Sequence, residues 1–302
     1  MAKLVHKGKR KAVKAALGKA RVRCSASVMN PECLALIKDF RLMDDTFMSK
    51  CFENAPECIE LMLRIILDKK DLKVVKSQTE YPIKSLQGRG VRFDVFARDS
   101  EGKEYDIEIQ RADKGAEPKR ARYNSALMDA NALKSGEEFD KLRDTYVIII
   151  AENDVLGGGK EIYEIDRTIR QMRGKKFGDG SHIIYVNGAT RSTSEIGKLI
   201  HDLLCRDAAE MYFDVFKKRV SQFKISEEGR LAMCKAVEEF AERRAAKASA
   251  EARAEGKAEG KRENMLATAK RMLKDGILAL KDIARYTGLS LAQVTQLKAS
   301  MT

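Results

Sequence analysis

The fold turns on Arg92-Phe93-Asp94-Val95-Phe96-Ala97-Arg98 and, a few residues on, Tyr105-Asp106-Ile107-Glu108-Ile109-Gln110. Apolar and polar residues alternate through both runs, the period of a half-buried strand. Asp99-Ser100-Glu101-Gly102-Lys103 lies between them and reads as a turn. A turn centred near residue 101 pairs residues whose numbers sum to about 202, which sets Asp94 opposite Glu108. Directly opposed residues of an antiparallel pair share a face, with Cβ atoms roughly 4.5–5.5 Å apart. Two carboxylates held that close repel unless a cation lies between them or one keeps its proton. Gln110 projects from the same face, two residues further along. Taken alone, the pattern also describes an exposed hairpin edge studded with charge.

Composition narrows the choices. The chain has 302 residues, 44% hydrophobic and 34% charged, enough for one large domain or two of ordinary size. Its net charge of +13 favours an anionic partner, either nucleic acid or an acidic membrane surface. No apolar run approaches the roughly 18–20 residues of a membrane span. No apolar stretch near the start reads as a secretory signal. The six cysteines form no C-x-x-C pair and there are only three histidines, so a structural zinc site is not expected. The cysteines read as reduced, buried hydrophobes, which fits a cytoplasmic location.

Along the chain, residues 1–30 form a basic arm. Nine Lys or Arg, among them Lys9, Arg10 and Lys11, fall in the first 23 residues, and the first acid is Glu32. A like-charge block of this kind reads as an arm for nucleic-acid contact or as a solubilising tail. Residues 44–68 read as two helices, the first capped by Asp44 or Asp45 and the second opened by Pro56. Val74 to Tyr81 reads as a strand stopped by Pro82, followed by the two runs quoted above. A helical pattern covers Pro118 to Leu133. Tyr146 to Ala151 is a continuous apolar run, the mark of a strand buried on both faces. Strands at 161–166 and 183–186 and a helix over 194–205 complete an α/β pattern with a mixed sheet over residues 31–225. Gly157-Gly158-Gly159-Lys160 lacks the spacing of a phosphate-binding P-loop and reads as a flexible loop. Residues 226–264 are rich in Ala, Glu, Lys and Arg and read as an exposed helix or linker, with a dimerising strand as the alternative. Residues 265–302 look like a small helical module with a helix-turn-helix corner at 283–290, where Ser290 and Gln293 read as a capping box.

An Asp on one strand and Glu-x-polar on the next resembles the arrangement in PD-(D/E)XK nucleases, and the order helix, three strands, helix, strand is that of their core, αβββαβ. Ile109-Gln110-Arg111-Ala112-Asp113, Lys119-Arg120-Ala121-Arg122-Tyr123, Glu152-Asn153-Asp154-Val155-Leu156-Gly157 and His182-Ile183-Ile184-Tyr185-Val186-Asn187-Gly188 make the resemblance specific. They are similar to the bacterial Rpn-type recombination-promoting nucleases, also called PD-(D/E)XK nuclease family transposases. The resemblance spans about residues 32–240. It implies a restriction-endonuclease-like α/β core followed by an α-helical C-terminal region. It implies a Mg²⁺-dependent DNA endonuclease, with Mn²⁺ as possible substitute, of low sequence specificity and active in recombination or transposition.

Carried over by motif position, Asp94 and Glu108 become metal ligands, and Gln110 stands where the superfamily has Lys. Gln can hydrogen-bond a water but brings no positive charge to the transition state. Lys103, Arg111 or Arg122 are the candidates to supply it. Asp45 is the accessory acid, though a capping role explains it as well. Lys119, Arg120 and Arg122, with the arm, are expected to hold the DNA backbone. Tyr123 is followed by Asn124, where many relatives carry another aromatic; the departure reads as tolerated. Cutting both strands usually takes two sites, so a homodimer is expected. The alternative is a DNA-binding or assembly protein on a nuclease scaffold that does not cut. RNA is the weaker substrate, for lack of an aromatic RNA-binding signature.

Overall fold

The computed structural model describes residues 31–84, 88–111, 113 and 115–301; Lys9, Arg10 and Lys11 lie outside them. Helices α1 (Pro31–Asp39), α2 (Asp45–Phe52) and α3 (Pro56–Ile66) lead into strands β1 (Val74–Ile83), β2 (Val91–Asp99) and β3 (Glu104–Gln110). Helix α4 (Pro118–Ala132) and β4 (Thr145–Ala151) follow. Next come β5 (Ile162–Ile165), a short ribbon of β6 (Thr168–Ile169) and β7 (Lys175–Lys176), and β8 (Ser181–Asn187). Helices α5 (Glu195–Leu204), α6 (Asp214–Ile225), α7 (Glu227–Asp275), α8 (Leu280–Thr287) and α9 (Leu291–Ala299) complete the described chain. From α3 to β4 the order is αβββαβ.

Six strands form one sheet in the order β1-β2-β3-β4-β8-β5. β2 is antiparallel to β1 and β3, β3, β4 and β8 run parallel, and β5 is antiparallel to β8. Every residue of β4 is buried. Its Ile148 and Ile150 pack with Met62, Leu63, Leu199 and Phe216 of the helices on one face. Val147 and Ile149 pack with Ala121, Leu127 and Met128 of α4 on the other. A central parallel strand has no face left for water, which is why this run shows no polar period.

The β2–β3 turn is closed by Asp99, whose Oδ1 accepts the N–H groups of Glu101 and Lys103 at 2.9 Å each. Gly102 sits at φ +84°, a conformation that costs a glycine little. Each of the four β2–β3 pairs, from Val95–Ile107 to Arg98–Glu104, sums to 202. β1 differs from expectation: it continues through Pro82, which pairs with Arg92. β1 is an edge strand, where the N–H that proline lacks is not needed for a further ladder.

The chain divides into two compact units after Glu238. Met233, Cys234 and Ala236 of α7 are buried with Phe216 and Phe223, so the first unit runs past residue 225, where the change in composition set the boundary. The described cysteines, Cys33, Cys51, Cys58, Cys205 and Cys234, are all buried and unbridged. In the second unit Ala269 of α7 packs with Ile283, Leu289 and Val294. Gly288 ends α8 at φ +73°, and the Ser290–Gln293 capping box opens α9. Helix α7 is 49 residues long, so it crosses both the 226–264 segment and the start of the 265–302 module. No described helix is long and apolar enough to cross a membrane.

Candidate active site

The site is built where β2 and β3 part. Their ladder ends at Val95–Ile107, and the next N–H of β3, that of Ile109, donates to Asp94 Oδ2 at 3.0 Å. A side-chain carboxylate thus takes the place of a strand carbonyl. On β3 the period of two sets Asp106, Glu108 and Gln110 on one face, beside Val147, Ile149 and Ala151 of β4. Asp106 is 0% and Glu108 1% exposed; Asp94 is half-buried.

Helix α4 lies over that face. Residues 120 and 124 are four apart and point the same way. Arg120 donates to Glu108 Oε2 at 2.5 Å, and Asn124 Nδ2 donates to Asp106 Oδ2 at 2.9 Å. Gln110 Nε2 also donates to Glu108 Oε2, at 3.2 Å. Gly115, at φ +111°, closes the loop against these groups: a Cβ there would stand 2.4 Å from Gln110 Oε1 and 3.1 Å from an Arg120 nitrogen.

Among the described residues three carboxylates therefore share the cluster with the guanidinium of Arg120. Burial, and then the charge of Glu108, pushes Asp94 up to about 7. Burial followed by Glu108 holds Asp106 well above the usual carboxylate range, against the hydrogen bond from Asn124. Burial also raises Glu108, with Arg120 opposing it. At neutral pH the cluster retains protons that a cation could replace.

Asp106 Oδ1 and Glu108 Oε1 are buried and accept from no nitrogen or hydroxyl donor of good geometry, and the Glu108 carboxyl instead shares a hydrogen bond with the carboxyl of Asp106. Buried polar atoms are normally satisfied, and leaving one bare costs roughly 1–3 kcal/mol. Once the retained protons leave, hard anionic oxygens of the kind Mg²⁺ or Mn²⁺ takes as ligands remain, so the residues fit a divalent ion. No ready-made group of three or more metal-holding His, Cys, Asp or Glu side chains stands among the described residues. The reason is visible: Glu108 Oε2 is turned to Arg120 and Asp94 Oδ2 to a backbone N–H.

The remaining candidates are distributed as follows. Asp45 is the first residue of α2, exposed, and its charge reaches Asp94. Arg111 is taken by Asp44 at 2.5 Å, with Glu152 at 3.8 Å, and Arg41 binds the same Glu152 at 3.1 Å. Lys103 pairs with Glu101 in the β2–β3 turn. Lys119 and Arg122 are exposed on α4 without an ion pair among the described residues. The cation beside the acids is Arg120, which the sequence reading set among the DNA-backbone contacts. Asp106 and Asn124 were missed as well. Asp106 could have been found, since it shares the even-numbered face of β3 with Glu108 and Gln110.

Comparison with curated proteins and comparison with solved structures each gave no match. A family model does match, over residues 53–201, and that span holds Asp94, Asp106, Glu108, Gln110, Arg120 and Asn124. Its description is PD-(D/E)XK nuclease family transposase, and it is to that family that residues 53–201 are similar.

Proposed function

We propose that the protein is a metal-dependent DNA endonuclease that hydrolyses phosphodiester bonds with little sequence specificity in DNA recombination or transposition, in the cytoplasm. One observation carries the reading: the buried acids Asp106 and Glu108 at the β2–β3 fork each keep an oxygen with no well-placed nitrogen or hydroxyl donor, beside the guanidinium of Arg120. Asp94 and Glu108 would hold Mg²⁺, or Mn²⁺ in its place, with Asp106 behind them. When bound, such an ion supplies positive charge against the phosphate and makes water more acidic.

The chain's own groups do the rest. Gln110 orients the attacking water through its amide. Arg120 carries the charge that Gln110 lacks and presents it to the phosphate. Lys119 and Arg122, with Lys9, Arg10 and Lys11, hold the DNA backbone, and such contacts position without reading sequence. Asp45 adds negative charge at the rim of the site. Arg111 pins the start of α2 to the end of β3 through Asp44. Cutting both strands takes two such sites, hence a homodimer.

The test is cleavage of supercoiled plasmid by the purified protein in Mg²⁺, Mn²⁺, Ca²⁺ or EDTA, beside Asp94→Ala and Glu108→Ala. Expected are metal-dependent nicks, lost in both variants while DNA binding survives. Full cleavage by either variant would overturn the assignment. No cleavage by the wild type, with salt-sensitive binding retained, would favour a non-cutting DNA-binding protein on the same scaffold.

A further inference from the structure

We infer that the β6–β7 ribbon is a second DNA contact, gripping the backbone of a duplex about half a helical turn from the carboxylates. The inference rests on DNA as the substrate but on none of the site residues. Of the eleven residues from Arg167 to Phe177, five are Lys or Arg and none is acidic. Thr168 pairs with Lys176 and Ile169 with Lys175; the tip turns through Arg173 and Gly174, at φ +53° and +78°.

Two of the five cations are neutralised at the base, Lys176 by Asp166 at 2.7 Å and Arg167 by Asp179. Arg170, Arg173 and Lys175 are exposed and have no ion pair among the described residues. Three like charges on so small a ribbon repel one another, and a polyanion relieves that repulsion. Met172 and Phe177, 51% and 61% exposed, stand among them. Apolar side chains flanked by cations are the type that wedges against base steps.

The sheet register gives the distance. Glu108, Ile149 and Tyr185 lie in one row across β3, β4 and β8. Ser181, where the ribbon returns to β8, is four residues back from Tyr185, about 13 Å along the strand and about 10 Å across two strand spacings. The base of the ribbon is therefore about 16 Å from the Glu108 row, close to five base pairs of B-DNA at about 3.4 Å each.

The test compares the full-length wild type with R170Q/R173Q/K175Q by fluorescence anisotropy on a short duplex in EDTA, across about 50 to 200 mM salt. Each phosphate left without its cation should flatten the slope of log K against log salt by about 0.9, so a change of about 2.7 is expected if all three side chains touch backbone. M172A/F177A should weaken binding at an unchanged slope. An unchanged slope and affinity in the triple variant would overturn the inference. So would loss of its binding to phosphatidylserine vesicles with DNA binding intact, which would assign the ribbon to a lipid surface. Plasmid nicking separates the two readings. A wild type that does not nick, with a flattened slope in the triple variant, ends the nuclease and keeps the ribbon. Nicking with no change of slope does the reverse.

Discussion

The carboxylate cluster and the β6–β7 ribbon use charge in opposite ways. In the cluster the buried Asp106 and Glu108 are packed with half-buried Asp94 and Arg120, and the protonation of the acids is displaced from the usual range. In the ribbon Arg170, Arg173 and Lys175 stand in solvent. Charges withdrawn from water interact strongly and are expensive to leave unmatched. Exposed charges interact weakly and fade with salt. The first arrangement suits chemistry at one phosphate; the second suits attraction along many.

That contrast can be broken at graded strength. The largest effect is expected at Arg120, the one guanidinium bonded to the cluster among the described residues. Arg120→Gln should lower cleavage by about a hundredfold or more, the scale of losing one preorganised electrostatic donor. Arg120→Lys should recover part of it, and single-turnover kinetics at saturating DNA is the measurement. Unimpaired cleavage by Arg120→Gln would return Arg120 to the class of simple backbone contacts.

Gly115→Ala comes next. The added Cβ meets Gln110 Oε1 at 2.4 Å at a φ of +111°, so the amide must move. Cleavage should fall by about tenfold with DNA affinity unchanged, since a displaced water-orienting group costs rate rather than binding.

A smaller effect is carried by pH. Asp94 is raised to about 7 in the folded chain, against an unfolded value near 3.8. Between those values the unfolded chain has lost a proton that the folded chain retains. Rising pH therefore favours unfolding across that window, and the loss levels off above the folded value. Thermal melting in EDTA should fall from about pH 4 to about pH 7. Asp94→Asn should flatten the fall, and divalent ion should oppose it. The smallest change is expected for Arg122→Gln: a salt slope shallower by about 0.9 in DNA binding, with cleavage at low salt preserved.

Much of this arrangement was legible in the chain. The β2–β3 register could be read because a local turn, Asp99 to Lys103, fixes it. The strand character of β4 followed from an unbroken apolar run. What escaped depended on partners distant in sequence. Asn124 meets Asp106 across 18 residues, and Arg120 meets Glu108 across 12, through the way α4 settles on the sheet. No alternation within β3 announces that. The ribbon escaped for another reason: strands of two residues are too short to show a period.

The bond from the Ile109 N–H to Asp94 has one more consequence. It ties the state of the site to the backbone, because whatever takes up the negative charge of Asp94 weakens its hold on that amide. Arrival of an ion or of a proton is thereby transmitted to the seam between two strands. A single amide, followed by hydrogen exchange, would report from inside the protein whether its site is filled, with no substrate present and no bond cut.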